Sequence, residues 1–347
     1  MFWIISGGTL FQSLHKAADN GVTQTINRQL THVAWEGFRF EDLIFPLFLF
    51  IVGLVLPFAI TRRIEQGASR KGVWLHIFKR SAVLILLGLV FNGLLRFDIS
   101  QMRWSGVLQR IGVCYFFAAI IVLNTNWRMQ AVITAVILLG YWAVTALVPV
   151  PGYGAGVYSA EGCLAGYIDR LIIPGKLCCY KYGDNEGLLS TIPAVGSVLL
   201  GALAGHWLRW NKPGVRKSVV LMAAGGLSLV AGYAWGEVFP VIKNIWTSSY
   251  VLVAGGWSLL LLAVFYWLID VRGYKKWAFF FIVIGANPIT IYFAQRFVGF
   301  AAIGNFFVHG AAIHTGAFEP TITAGSELMV KWLFLLFLYR HRIFFKV

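Results

Sequence analysis

Long, uninterrupted apolar segments constrain the fold of this chain more than any other feature, because about 20 apolar residues are enough to cross a bilayer as a helix. Only 12% of the 347 residues are charged and 59% are hydrophobic, whereas about 25% of residues are charged in a typical soluble domain. The sequence therefore predicts an all-α polytopic membrane protein. Ten apolar segments occur, at 2–15, 43–61, 80–97, 106–124, 131–149, 189–208, 218–236, 250–269, 277–296 and 327–345.

These segments predict ten transmembrane helices in one bundle, or eleven if the glycine-broken segment 298–309 also crosses. No stretch is left for a separate soluble domain, so residues 1–347 are expected to form a single transmembrane domain. The first segment, "MFWIISGGTLF", begins apolar without a charged flank and is short for a full span. It lacks the basic region and cleavage site of a signal peptide, so we expect that the chain begins inside a truncated first helix.

The distribution of basic residues predicts the orientation in the membrane. The chain has 29 Lys+Arg against 14 Asp+Glu, a net charge of +15, which in a soluble protein would point to nucleic acid. Here the basic residues concentrate in connections 62–79, 125–130, 209–217 and 270–276 and at the C-terminus. Under the positive-inside rule these segments are cytoplasmic. We expect both termini in the cytoplasm and no nucleic-acid partner.

Two long connections, 16–40 and 150–188, fall on the outer side in this topology. The second is too polar to enter lipid and is rich in Tyr, Leu and Ile, so we expect an ordered cap over the bundle. Its cysteines permit a disulfide between Cys163 and either Cys178 or Cys179 in an oxidising compartment. No CxxC spacing indicates zinc, and no metal is expected.

Several polar residues at or within the apolar segments are candidates for chemistry. Ionisable residues inside a membrane are costly and often functional, although an interfacial arginine that snorkels to water is the plain alternative. Asn287 precedes Pro288 in mid-segment, and such helix breaks usually line cavities. The candidates in or beside spans are His32, Glu41, Asp42, Gln109, Arg110 and Asn287.

A second set lies in the outer connections and suits a sugar, because carbohydrate sites commonly combine hydrogen-bonding groups with an aromatic face. Loop capping explains some of the same residues equally well. The set is Asp184, Glu186, Lys243, Asn244 and Trp246.

Six sequence blocks in order resemble the transmembrane acetyltransferases related to heparan-alpha-glucosaminide N-acetyltransferase. They cover residues 32–295 and are specific jointly rather than singly. The blocks are "HVAWEGFRFEDLIFPLFLFIVG" (32–53), "GVLQRIGVCYF" (106–116), "AGYIDRLIIPGKL" (165–177), "DNEGLLSTIPAV" (184–195), "FPVIKNIWTSSYVL" (239–252) and "GANPITIYFAQ" (285–295).

The resemblance implies a single transmembrane acyltransferase domain that moves an acetyl group from cytosolic acetyl-coenzyme A to the amine of a glucosamine on the opposite side. The family's active-site histidine matches His32, and histidine is the side chain whose unperturbed pKa, about 6.5, best suits a general base near neutral pH. Glu41 and Asp42 are expected to orient the imidazole or to bind the sugar ammonium. Arg110 is the expected anion contact of the donor. Further donor contacts are expected from Gln109, Asn287, Arg62, Arg63 and Arg80.

The absence of a luminal domain and processing site favours a bacterial homologue in the inner membrane. A secondary transporter is the main alternative, but inverted repeats would predict a second broken segment, which the sequence lacks. A non-enzymatic scaffold leaves the polar motifs unexplained. The partners expected are an amino sugar and the lipid bilayer; a homodimer, the natural acceptor, and the choice between direct transfer and an acetyl-histidine stay open.

Overall fold

The computed structural model describes residues 1–345 and is predominantly helical. Two two-residue strands, β1 (Cys179–Tyr180) and β2 (Gly183–Asp184), form an antiparallel hairpin. The helices are α1 (Gly8–Ala17), α2 (Gly21–Gln29), α3 (Phe40–Glu65), α4 (Arg70–Phe91), α5 (Val107–Asn124), α6 (Trp127–Leu147), α7 (Leu164–Ile172), α8 (Leu188–Arg209), α9 (Gly214–Gly236), α10 (Ser248–Tyr266), α11 (Phe279–Ala286), α12 (Pro288–Phe297), α13 (Phe300–Ala312) and α14 (Glu319–Arg340).

Within residues 1–345, eight helical segments are long and apolar enough to cross a membrane, or nine if one bent pair counts as a span. The bent pair joins Lys276–Ala286 to Pro288–Phe297 at 61°. The chain is thus a multi-pass membrane protein. The expected count of ten or eleven is not confirmed, because predicted segment 2–15 consists of the five-residue π-helix Trp3–Gly7 followed by the short α1.

The chain divides into two compact units, and the expectation of a single domain stays a prediction. The larger unit comprises Val33–Phe38 and Asp42–Val271. Its helices α3 and α8 approach closely where Gly53 faces the Val198 carbonyl and Gly201 faces the Phe50 carbonyl. An added Cβ at either glycine would collide with that backbone oxygen, so both positions need glycine.

The connection between α6 and α8 carries α7 and the β1–β2 hairpin. The disulfide in this connection joins the neighbouring residues Cys178 and Cys179, while Cys163 is a buried free thiol. The pairing of Cys163 with either of them, which the sequence permits, is therefore not formed. Adjacent cysteines are an unusual pair, and their bonding removes both possible partners of Cys163.

The smaller unit comprises Met1–His32, Arg39–Glu41 and the chain from Arg272 onward. Its apolar core includes Ile5, Val283 and Leu335. Lys331 of α14 is 4% exposed, and its ammonium forms an ion pair with Glu327 at 2.6 Å. It also donates to the Ile5 carbonyl at 2.7 Å, so this lysine is paired rather than an isolated buried charge.

Candidate functional site

Arg110 lies in the first turn of α5 and is the most deeply buried cation of the larger unit, at 2% exposure. Its Nη2 donates to the Gly187 carbonyl at 3.2 Å and to the Ser190 hydroxyl, so it ties α5 to the start of α8. Its Nε and Nη1 have no hydrogen-bond partner among residues 1–345. A buried N–H without an acceptor is costly, so Arg110 has capacity for an acceptor oxygen.

Trp246 supports the guanidinium of Arg110. The carbon centre of that guanidinium lies 4.9 Å from the centre of the Trp246 ring, a cation–π distance. The indole is 1% exposed and donates from Nε1 to the Ser197 hydroxyl at 3.1 Å. Trp246 adopts a left-handed backbone conformation with φ of 53°, which is strained for a bulky residue. Its buried face is therefore occupied by Arg110 rather than presented to solvent.

The turn before α8 holds two carboxylates against Arg103. Arg103 donates from Nε to Asp184 Oδ2 at 2.9 Å and from Nη2 to Asp184 Oδ1 at 2.6 Å, and it also bonds Glu186. Burial alone would raise the pKa of Asp184, but the hydrogen bonds and charge of Arg103 lower it below its ordinary value. Asp184 is thus an ionised anchor of the turn, whereas Glu186 lines a cavity.

Asp169 of α7 holds the same turn from the other side. Its Oδ2 accepts the Asp184 N–H at 3.2 Å and its Oδ1 accepts the Leu188 N–H at 3.0 Å. Burial raises the pKa of Asp169 to about 6, and the neighbouring charge of Asp184 adds to this effect. Gly187 lies directly against the carboxylate, where a Cβ would overlap both oxygens. The turn can close on Asp169 only because residue 187 is glycine.

Asp42 is 1% exposed at the start of α3 and forms an ion pair with Lys243 at 3.4 Å. Its backbone carbonyl accepts the Tyr250 hydroxyl at 2.7 Å. Val33 donates its N–H to Asp42 Oδ2 at 3.4 Å, and the Gly37 N–H donates to the Val241 carbonyl at 2.8 Å. Residues 33–38 are therefore held alongside the connection between α9 and α10, residues 237–247, which we call the strap before α10.

The structure brings most of the predicted residues of the larger unit into one connected cluster. Asp42 contacts Lys243 and Tyr250, and Tyr250 packs edge-on against Trp246 with ring centres 5.2 Å apart. Trp246 contacts Arg110, which bonds the residue after Glu186. We call this the Arg110 cluster; it contains Asp42, Arg110, Asp184, Glu186, Lys243 and Trp246.

His32, Glu41 and Asn287 belong to the smaller unit. His32 is exposed in the connection before α3, and its carbonyl accepts from Arg39 Nη1 at 3.3 Å. Glu41 is half-buried in the first turn of α3. Asn287 is 1% exposed, and its side chain donates to the Ile343 carbonyl at 3.0 Å and accepts the Phe345 N–H at 3.1 Å.

The predicted cytoplasmic cations are not all far from the Arg110 cluster: Arg80 contacts Tyr115, five residues after Arg110 on α5, whereas Arg62 lies much farther away along α3. Arg62 is exposed 20 residues beyond Asp42 on α3, which corresponds to about 30 Å of helix. Arg63 contacts His76 at 2.9 Å, and Arg80 lies 4.7 Å from the centre of the Tyr115 ring. Any ligand that reaches both Arg62 and the Arg110 cluster must therefore run through the bundle.

An apolar cavity of about 660 Å³ adjoins the cluster. At one end it is lined by Trp104, Ser105, Gln109, Arg110 and Glu186. Apart from Gly187 and Thr191, the rest of its wall is aliphatic and aromatic. Gln109 is 8% exposed and packs its amide against Gly88 of α4. Asn244 is half-buried on the strap before α10.

Sequence reasoning missed Arg103, Asp169, Ser190 and Tyr250, which complete the cluster. Asp169, Ser190 and Tyr250 lie inside blocks that carry the family resemblance, but their residue types alone give no sign that these side chains are buried. Arg103 follows no motif and becomes visible only through its two carboxylate partners. Among residues 1–345, no group of three or more His, Cys, Asp or Glu side chains is arranged to hold a metal ion.

No family model matches the chain. Two curated relatives are similar to it. Heparan-alpha-glucosaminide N-acetyltransferase of Homo sapiens is 28% identical over 377 residues, covering 91% of this chain and 55% of that protein. The Mus musculus protein of the same name is 29% identical over 335 residues, covering 80% of this chain and 50% of that protein. The chain thus spans about half the length of these relatives. The chain is related to the heparan-alpha-glucosaminide N-acetyltransferases.

Proposed function

We propose that the chain is an integral membrane acetyltransferase that moves an acetyl group from cytosolic acetyl-coenzyme A to the amine of a glucosamine-type sugar on the periplasmic side. The names of both relatives support N-acetyl transfer. The observation that carries the proposal is the Arg110 cluster, a buried polar network with open donor capacity inside a membrane protein. Polar groups of this kind are expensive within a bilayer and typically mark a substrate path.

In the proposed reaction, the sugar amine attacks the thioester carbonyl carbon. A carbon–nitrogen bond forms, the carbon–sulfur bond breaks, and coenzyme A leaves as the thiolate. His32 accepts the proton that the ammonium must lose and passes it to solvent. The exposed position of His32 is compatible with a group that meets a substrate. We favour direct transfer over an acetyl-histidine, with Glu41 and Asp42 in supporting roles.

The contacts to the sugar acceptor are proposed to come from side chains that can still form a hydrogen bond or an ion pair. Both Asp184 oxygens are engaged by Arg103, and Asp184 is 1% exposed, so this residue positions the turn. Glu186 bonds Arg103 through Oε2 and also lines the cavity, so its other oxygen is the better partner for a sugar ammonium. Trp246 is covered by Arg110 and its neighbours, so we assign it to positioning the guanidinium.

The donor is proposed to enter where the basic connections lie. Arg62, Arg63 and Arg80 supply cations for the phosphates of coenzyme A, since phosphate binding needs several charged donors. We propose that the chain lies in the inner membrane with both termini in the cytoplasm, since the basic connections then face the cytosolic donor. Gln109, Asn244 and Asn287 remain candidate polar contacts in the proposal.

The transporter alternative is less well supported. Residues 1–345 contain one bent helix pair that is long and apolar enough to span, Lys276–Ala286 with Pro288–Phe297. A transporter built from inverted repeats would have a matching break in its other half.

The proposal is tested by reconstituting the purified chain in vesicles with radiolabelled acetyl-coenzyme A outside and glucosamine inside, or the reverse. Acetylated glucosamine on the side opposite the donor is the expected product. Loss of product in His32→Ala, with wild-type turnover in the exposed control His309→Ala, assigns the base. Movement of unmodified glucosamine without acetylation would refute the transferase and favour a transporter.

A further inference from the structure

The cavity beside the Arg110 cluster has two chemically different ends. Its polar end includes Trp104, Arg110 and Glu186, near the starts of α5 and α8. Its apolar part follows α5 down to Ile121. From Gln109 to Ile121 is 12 residues, which corresponds to about 18 Å of helix. The cavity is therefore a slot that has polar and charged side chains at one end and a long apolar body along α5.

The apolar part opens toward the exposed surface of the larger unit. Three of its lining side chains are about half exposed, Phe117 at 51%, Leu188 at 48% and Ile192 at 47%. Each belongs to a helix that is long and apolar enough to span the membrane. Large apolar side chains exposed on such helices face hydrocarbon, so the slot opens sideways to the bilayer.

The lining also limits what occupies the body of the slot. Side chains such as Ile85, Leu89, Val113 and Ile137 offer no hydrogen bonds. The amides of a pantetheine arm or the hydroxyls of a sugar would lose their water partners there without replacement. A hydrocarbon chain incurs no such cost and gains from burial.

The polar end calls for an anion. Arg110 forms no ion pair with a carboxylate among residues 1–345, and its Nε and Nη1 lack acceptors. Arg103 does not share this need, because it is already paired with Asp184 and Glu186, whose two carboxylates exceed its single charge by one. The Trp104 Nε1 is likewise buried without an acceptor. A phosphate group carries acceptor oxygens of the kind that these donors lack, and a guanidinium fork suits phosphate well.

We propose that this slot binds a lipid phosphate, with the hydrocarbon chain along α5 and the phosphate on Arg110, and that this lipid is the anchor of the amino-sugar acceptor. The inference rests on the proposed acetyl transfer and names its acceptor as lipid-linked rather than free. It also moves Arg110 from the donor to the acceptor, in line with the separation of about 30 Å along α3 between Asp42 of the Arg110 cluster and Arg62.

Binding is measured first, without catalysis, by native mass spectrometry of the full chain with farnesyl phosphate and with farnesol. Farnesyl phosphate should bind at least tenfold more tightly than farnesol, since only the phosphate reaches Arg110. Val113→Phe fills the slot and should weaken the binding of farnesyl phosphate at least tenfold. The matched control is Val136→Phe on α6, because Val136 is 62% exposed and lies outside the slot. This substitution should leave the binding of farnesyl phosphate unchanged. Ile192→Trp at the opening serves as a second variant if Val113→Phe melts early.

Two results would overturn the lipid-phosphate site. One is equal binding of farnesyl phosphate to wild type and to correctly folded Val113→Phe and Ile192→Trp. The other is complete displacement of farnesyl phosphate by an equal concentration of phosphatidylglycerol, which would make the slot a site for bulk phospholipid.

Turnover then tests the acceptor. With acetyl-coenzyme A, glucosamine linked to farnesyl phosphate should have a kcat/KM at least tenfold above that of free glucosamine, and Val113→Phe should reduce this preference. Equal kcat/KM values for the two acceptors would refute a lipid-linked acceptor. If farnesyl phosphate binds as expected but neither amine is acetylated, the proposed transferase fails while the lipid-phosphate site is supported.

Discussion

Asp169 offers a quantitative test of how the turn before α8 is held. Its two carboxylate oxygens accept two backbone N–H groups, from Asp184 and Leu188. Asparagine has one acceptor oxygen, and its NH₂ group would face the second N–H as donor against donor. Asp169→Asn should therefore lose one hydrogen bond to a charged group, which is worth about 1.5–3 kcal/mol.

This loss of stability in Asp169→Asn is partly offset, because the substitution also removes the pH-dependent cost of ionising a buried carboxyl. Burial raises the pKa of Asp169 from 3.8 to about 6, so the unfolded chain releases this proton at lower pH than the folded chain. Between these values the folded state binds more protons, and the unfolding free energy falls as pH rises. The full penalty is about 3 kcal/mol, and about 1.4 kcal/mol of it develops between pH 5 and pH 7.5. Asparagine does not titrate, so the Asp169→Asn protein has no such penalty.

The stability of wild type relative to Asp169→Asn should thus decrease by about 1.4 kcal/mol between pH 5 and pH 7.5. Apparent melting temperatures of both proteins in the same detergent at the two pH values measure this change. Asp98→Asn is the control, because hydrogen bonds from Ser100 and Gln101 lower the pKa of this exposed residue. Asp98 therefore does not titrate in this window. A difference between wild type and Asp169→Asn that is the same at both pH values would refute the buried, partly protonated carboxyl.

Three further substitutions have defined outcomes. His32→Ala should reduce acetyl transfer by about 10²–10⁴ while donor affinity by calorimetry stays near wild type; unchanged turnover would remove His32 from the mechanism. Gly53→Ala should lower the melting temperature sharply, because its Cβ collides with the facing backbone of α8, whereas Gly226→Ala on α9 meets no atom within 4 Å and should melt as wild type; equal melting of both variants would contradict the close helix approach. Trp246→Phe loses the hydrogen bond to Ser197 and the larger aromatic face under the guanidinium. The binding of farnesyl phosphate should therefore weaken about three- to tenfold while the helix content stays that of wild type. Undiminished binding would show that Trp246 does not position Arg110.

Membrane spans were accessible to sequence reasoning because a bilayer imposes one simple requirement on length and polarity. Eight of the ten predicted segments coincide with helices that are long and apolar enough to span. The other two lie where that rule weakens. Segment 2–15 is too short to count by length, and segment 277–296 is bent at Asn287–Pro288, where proline removes a helix hydrogen bond.

Side-chain partnerships were harder to foresee, because they join parts of the chain that are far apart in sequence. Arg110 was identified from its place inside an apolar segment, but its contact with Trp246 spans 136 positions and depends on an unusual left-handed backbone at Trp246. Asp184 was proposed as a sugar contact from its polarity alone. Nothing local indicated that Arg103, 81 positions earlier, would occupy both of its oxygens.

The same long-range packing explains why the Arg110 cluster is suited to hold an anion rather than merely to stabilise the bundle. A structural arginine in a membrane usually pairs with a carboxylate or saturates its donors with carbonyls. The larger unit places carboxylates next to Arg103, where Asp184 and Glu186 are engaged, and leaves Arg110 with an indole ring, one carbonyl and one hydroxyl. Those neighbours fix the direction of the guanidinium without neutralising its charge. Because the remaining donors adjoin a slot with an apolar body, the unit favours a ligand that brings its own negative charge and its own hydrocarbon.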